Sequence, residues 1–192
     1  MALYAIGDLH LCLGAPKPMD VFGGAWVGYM EKLKQGLSVI RPEDTTVLCG
    51  DLSWALGLEA AKEDFAWIDQ IPGRKIILKG NHDYWWSTAS KFHKFCQDNQ
   101  FSDQFILNNN FYEYEDWAIC GTRGWFFEEE RSGQHECREI IDLLHQYQVR
   151  RCYYGHLHAD SRKLAMEGVW DGVEYRLVSA DHVNFCPVTV IL

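Results

Sequence analysis

Eight side chains of the kinds that hold metals or move protons fall into four short clusters: Asp8 and His10; Asp51; Asn81, His82 and Asp83; and His156 and His158. Each cluster is introduced by glycine, as Gly7-Asp8-Leu9-His10, Gly50-Asp51, Gly80-Asn81-His82-Asp83 and Gly155-His156-Leu157-His158. Asp8/His10 and His156/His158 are two residues apart, so in an extended segment both members of each pair project to one side. Carboxylate, amide and imidazole together make a mixed oxygen and nitrogen donor set. Such a set suits Mn, Fe, Zn or Ni better than an all-oxygen calcium site. One Gly-Asp is ordinarily a turn and one His ordinarily a hydrogen-bonded structural residue. Four such pieces in order define a candidate site through their shared context.

That context is a set of apolar runs that each end at a cluster. Residues 2–7, 45–50 and 74–79 read as strands ending in Gly7-Asp8, Gly50-Asp51 and Gly80-Asn81. Further strands are expected at 104–108, 111–115, 117–121, 150–155, 162–167, 173–180 and 186–192. Helical periodicity fits 25–40, 56–70, 84–97 and 136–148, with Ile140, Ile141, Leu144 and Tyr147 on one apolar face of the last. Strands alternating with helices predict a layered α/β protein, and no linker divides residues 1–192, so one domain is expected. In open α/β sheets ligands bind beyond the carboxyl ends of the strands, which is where the four clusters fall.

Composition narrows the partners. Lys and Arg number 18 against 27 Asp and Glu, a formal net charge of −9, and 47% of residues are hydrophobic. This is the balance of a folded globular chain, and it argues against sequence-independent nucleic-acid binding, which needs a basic face. A phosphate substrate stays compatible if metal ions supply the positive charge. No uncharged stretch approaches the roughly 18 residues of a membrane span, so no membrane partner is expected. The seven cysteines form no C-x-x-C pair and several lie in apolar runs. They read as buried free thiols in a reducing compartment, and with no basic leader a cytoplasmic location is expected.

The four motifs resemble the calcineurin-like metallophosphoesterase family, whose pattern is D-x-H, G-D, G-N-H-D/E, a lone His, and G-H-x-H. The resemblance spans most of the chain. It implies two mixed β-sheets packed as a sandwich and flanked by helices, with a two-metal site at the strand ends. One divalent ion would be held by Asp8, His10 and His158, a second by Asn81, His156 and the lone His, and Asp51 would bridge them. The implied reaction is hydrolysis of a phosphomonoester or phosphodiester by a metal-bridged hydroxide. His82, oriented by Asp83, would stabilise the transition state or protonate the leaving oxygen.

The lone-His motif has no match. His93 and His145 lie within helical patterns, and His135 follows a polar stretch with no apolar run leading into it. A helix–strand unit, on the order of 30 residues, is therefore expected to be missing near 127–140. The second ion would then be weakly held, by water or by His135. The alternative function is a weakened or inactive metal- or phosphate-binding domain of the same fold.

Secondary signals keep two readings each. Arg123, just past the strand Trp117-Ala118-Ile119-Cys120, either clamps a substrate phosphate or makes a structural ion pair. Trp54, Trp85, Trp86 and Trp125 either wall a substrate or pack the core. Glu128-Glu129-Glu130 reads as a solvated loop, and Cys12 as a buried thiol near the site.

Overall fold

The computed structural model describes residues 1–123 and 138–192. Its largest sheet comprises β1 (Leu3–Ile6), β2 (Thr45–Leu48), β3 (Arg74–Leu78), β4 (Gln104–Leu107) and β10 (Val188–Ile191), in the order β10-β1-β2-β3-β4. The four strands β1 to β4 run parallel, and β10 pairs antiparallel with β1. Leu3 lies opposite Thr45, and Thr45 opposite Arg74, so the strands finish nearly level. That register sets Gly7-Asp8, Gly50-Asp51 and Gly80-Asn81 side by side at one edge of the sheet.

Parallel strands need crossovers, which here contain α1 (Tyr29–Leu37), α2 (Lys62–Asp69) and α3 (Ala89–Asn99). Thr88 caps α3, its side-chain oxygen accepting the Lys91 N–H at 3.3 Å. Side chains alternate across the strands. Ile6, Leu48 and Ile77 bury against Leu33, Phe65, Ile68 and Phe92 of the helices, while Ala5 turns to the other face with Val178 and Val188. Tyr153 and Cys49 close over that second, smaller cluster.

The second face carries β7 (Arg151–Tyr154), β8 (Gly168–Trp170) and β9 (Val173–Leu177), in the order β7-β9-β8. A hairpin of β5 (Tyr112–Tyr114) and β6 (Trp117–Ile119) forms its own two-stranded sheet. The mixed α/β layering is thus present, in three sheets rather than two. Neither β6 nor β7 has a second strand partner on its open side among the described residues; the Arg151 guanidinium lies 5.0 Å from the centre of the Trp117 ring. The interval near 127–140 falls mostly outside the described residues, as do Trp125, Glu128-Glu129-Glu130 and His135. On its far side α4 spans Arg138–Gln146.

Three expectations change. Where the sequence predicts a strand at 162–167, Ala159–Leu164 is a 3-10 turn, closed by Arg162 Nε donating to Ala159 O at 3.0 Å. Gly168–Trp170 is a strand that the sequence did not signal. Cys120 and Cys186 are exposed free thiols, and Cys96 is buried. Among the described residues, no helix is long and apolar enough to cross a membrane.

Candidate metal centre

The chain beyond β9 runs alongside the end of β1. Gly7 and Ser179 form a parallel bridge: the Gly7 N–H donates to Val178 O at 2.8 Å and the Ala180 N–H to Gly7 O at 3.0 Å. The Val178 N–H in turn reaches Tyr154 O at 2.8 Å, which ties the end of β7 to the same edge. The fourth cluster, His156/His158, is thereby brought from the second layer to the first three.

All eight side chains sit in or beside this edge, in a backbone that is not relaxed. Asp8, His10, Asp51 and His156 have φ of 57°, 47°, 52° and 80°, the left-handed region that non-glycine residues seldom occupy. The glycines are required by close approach. A Cβ on Gly80 would be driven into Asp51 Oδ1, and one on Gly155 into Asp8 Oδ2.

Asp8, His10 and His158 converge. One ligand atom from each lies within 4.8 Å of the others, and among the described residues no other group of three His, Cys, Asp or Glu side chains does this. His158 Nε2 is 3.3 Å from Asp8 Oδ1 and 3.4 Å from His10 Nε2. Asp8 is held by the His156 N–H, which donates to both carboxylate oxygens at 3.0 and 3.1 Å. Beside this group, His156 Nδ1 lies 2.9 Å from Asn81 Oδ1. Asp51 is buried, and its Oδ1 accepts the His82 N–H at 2.8 Å. His93 and His145 are exposed on α3 and α4, and His93 bonds Gln97 at 3.0 Å, so neither joins the site.

The electrostatics fit a divalent cation. Burial, opposed by the Asp8 charge, holds the His10 imidazole down to about 3, so a neutral ring with a free lone pair is present at pH 7. His10 Nδ1 is buried and has no hydrogen-bond partner among the described residues. Burial pushes Asp51 up to about 7, and the neighbouring Asp8 and Asp83 charges add to this. For His158, burial alone would lower the pKa, but hydrogen bonds to Asp181 and Asp8 outweigh it and raise the ring to about 10. Buried carboxylates that repel one another and hold a proton on a neighbouring histidine are charges that a bound cation could offset in the proton's place.

Sequence reasoning missed two supports. Asp181 is buried, and its Oδ1 lies 2.8 Å from His158 Nδ1, the arrangement that orients a metal-binding imidazole. It belongs to no recognisable motif. Trp54 stacks on His10 with ring centres 4.7 Å apart at 17°, and its ring also lies 4.7 Å from that of His82. Trp26, which the sequence did not single out, meets His10 and His158 edge-on. Trp85 is core, packed on Phe65.

Asp83 has a different job from the one its neighbour in sequence suggests. Its Oδ1 accepts the backbone N–H of Leu52 (2.8 Å), that of Ser53 (3.3 Å) and the Trp85 indole N–H (2.7 Å). Its Oδ2 accepts the N–H of Asp51 (2.8 Å) and of Gly80 (2.7 Å). Asp83 therefore locks the second and third clusters together, and His82 Nδ1 meets the Tyr84 hydroxyl at 3.3 Å instead. Arg123 is exposed just past β6.

A family model described as calcineurin-like phosphoesterase matches residues 1–160. A crystal structure of a protein of unknown function from Aquifex aeolicus superimposes with a TM-score of 0.59 at 17% identity, covering 98% of this chain and 95% of that one. At that identity the likeness shows the fold alone. No curated protein matches the chain.

Proposed function

This chain belongs to the calcineurin-like phosphoesterase family, and from that premise we propose that it hydrolyses phosphate esters of small molecules in a metal-dependent reaction. The observation that carries the reading is the convergence of Asp8, His10 and His158, with ligand atoms within 4.8 Å of one another. In this proposal those three would hold a first ion of the Mn, Fe, Zn or Ni class, Asn81 and His156 would hold a second, and Asp51 would be shared between the two. A second ion would be the weaker, because Asn81 and His156 gain no further imidazole among the described residues. When bound, divalent ions neutralise phosphoryl oxygens and lower the pKa of coordinated water.

The chain's own residues orient and shield that chemistry. Asp181 fixes the His158 ring, and Asp83 fixes the backbone that presents Asp51 and Asn81. The rings of Trp54 and Trp26 exclude water from one side of His10. His82 is half-buried at the rim, and burial, followed by the nearby Lys17 charge, lowers its pKa. It is proposed as the group that holds or donates a proton at the leaving oxygen. Arg123 is the proposed guanidinium for a substrate phosphate oxygen.

The test is metal analysis of the purified protein with turnover of aryl phosphate mono- and diesters in added Mn, alongside His82→Ala and Asp51→Asn. Activity that exceeds both variants by tenfold or more is expected, since general acid–base groups contribute about 10²–10⁴ in rate. Bound metal with activity no higher than in the variants would overturn the reading and leave a metal-binding domain.

A further inference from the structure

The loop after β1 carries a cation to the rim of the site, and its sequence explains how that cation is held. Lys17 lies in Pro16-Lys17-Pro18. Each proline fixes its own φ, and Pro18 also restricts Lys17 to extended backbone, so little freedom remains to be lost on binding. Pro18 has φ −67° and ψ 137°. The loop is pinned at both ends. On one side the Leu13 N–H donates to the buried Asp64 carboxylate at 2.7 Å, and the Ser53 hydroxyl donates to the other Asp64 oxygen. On the other side Met19 is buried, and its sulfur accepts the Trp54 indole N–H at 3.4 Å.

Between these anchors the Lys17 ammonium rests 3.2 Å from the centre of the Trp54 ring. That ring touches both His10 and His82. Lys17 is exposed, and no carboxylate among the described residues lies within ion-pair distance of it. Of the other cations near the strand ends, Lys79 lies over a different indole and less closely, its Nζ 5.9 Å from the centre of the Trp86 ring, and two are held by protein oxygens. Arg162 donates to Ala159 O and Asp181 O, and Lys163 pairs with Asp160 at 2.7 Å. An ammonium parked on an indole gives up a modest attraction when an anion arrives, and its flexible stem can follow the anion.

We infer that Lys17 is a specificity-determining residue that binds the phosphoryl group of the substrate and selects phosphomonoesters over phosphodiesters. The inference rests on the phosphoesterase reading above and adds the substrate class. A monoester carries close to two negative charges above its second pKa of about 6, and a diester carries one. The same ammonium at the same distance therefore attracts the monoester about twice as strongly. A chain-borne cation at the rim therefore changes monoester binding most.

The experiment measures binding and turnover on Mn-loaded protein at pH 8, with Lys17→Met and Lys17→Arg. Binding of inorganic phosphate and of diethyl phosphate is read by calorimetry, and turnover with para-nitrophenyl phosphate and bis(para-nitrophenyl) phosphate. Lys17→Met is expected to weaken inorganic phosphate about tenfold, the effect of losing one hydrogen bond to a charged group, and diethyl phosphate by no more than about twofold. KM for the monoester rises in the same proportion, with kcat changing less, and Lys17→Arg restores most of the binding. Unchanged phosphate affinity in Lys17→Met, or equal weakening of both anions, overturns the assignment, as does a wild-type protein that binds no phosphate. If wild type turns over neither ester while Lys17→Met still loses phosphate selectively, the hydrolase reading fails and the lysine assignment stands.

Discussion

Replacing Asp83 by Asn separates the structural role seen here from the catalytic role that its position after His82 suggests. The carboxylate accepts five N–H donors, three on Oδ1 and two on Oδ2. An amide nitrogen placed at the Oδ2 position would face the Asp51 and Gly80 N–H groups, donor against donor. Each buried donor left unpaired costs about 1–3 kcal/mol, so these two cost about 2–6 kcal/mol. The three bonds on Oδ1 survive but lose their charge assistance, which weakens each further. Against this, burial holds the Asp83 carboxyl above the usual carboxylate range, so removing the charge recovers part of a desolvation penalty. The net expectation is a loss of about 3 kcal/mol. With a urea dependence of about 2–3 kcal/mol per molar, the unfolding midpoint of metal-free protein falls by about 1 M. Activity falls as well, because Asp51 and Asn81 are displaced, but the pH profile of the residual turnover keeps its shape. An Asp83→Asn protein with the wild-type urea midpoint, a lower kcat and a shifted pH profile would refute this reasoning and restore Asp83 as the partner of the His82 ring.

Two further outcomes follow from the same contacts. Asp181→Asn should lower Mn affinity about 10–100-fold, since Oδ1 orients the His158 ring while Oδ2 makes only long contacts, 3.5 Å to the Ala159 N–H and 3.7 Å to the Arg162 guanidinium; equilibrium dialysis reads this, and unchanged affinity would count against the role. Asp44 sits far from the site and accepts the Ala2 N–H at 2.7 Å and the Arg41 N–H at 2.9 Å, which hold its carboxyl below the usual range. A lowered folded pKa gives stability that is present above the unfolded value of about 3.9 and lost as pH falls through the folded value. Asp44→Asn should flatten that acid limb of the melting-temperature profile, and an unchanged limb between wild type and variant would show the bonds to be neutral.

The strand-end clusters were legible because each is local: an apolar run, a glycine, then polar residues, all within a few positions. Parallel strands in level register then bring such ends together whatever the loops between them do. Asp181 was not legible, since Ser179-Ala180-Asp181 reaches the site only through the Gly7–Ser179 bridge, a pairing between residues distant in sequence. Asp83 is legible as a site residue, but its contacts are not. Adjacent side chains on a turning backbone diverge, and its oxygens are taken by N–H groups from the preceding motif. The 3-10 turn at Ala159–Leu164 escaped for a related reason: local bonds from Ser161 and Arg162 override weak strand propensity.

The left-handed backbone at Asp8, His10, Asp51 and His156 has a consequence for what could replace these residues. Glycine would relieve each of these positions of about 1 kcal/mol or more, and an Asp codon is one nucleotide from a Gly codon. At residues 8 and 51 that relief would be offset, because glycine removes the carboxylates that accept the His156 and His82 N–H groups, and each donor left unpaired costs about 1–3 kcal/mol. The two aspartates are therefore held in a strained backbone by the same bonds that aim their free oxygens, and a glycine there would empty the site without making the scaffold more durable.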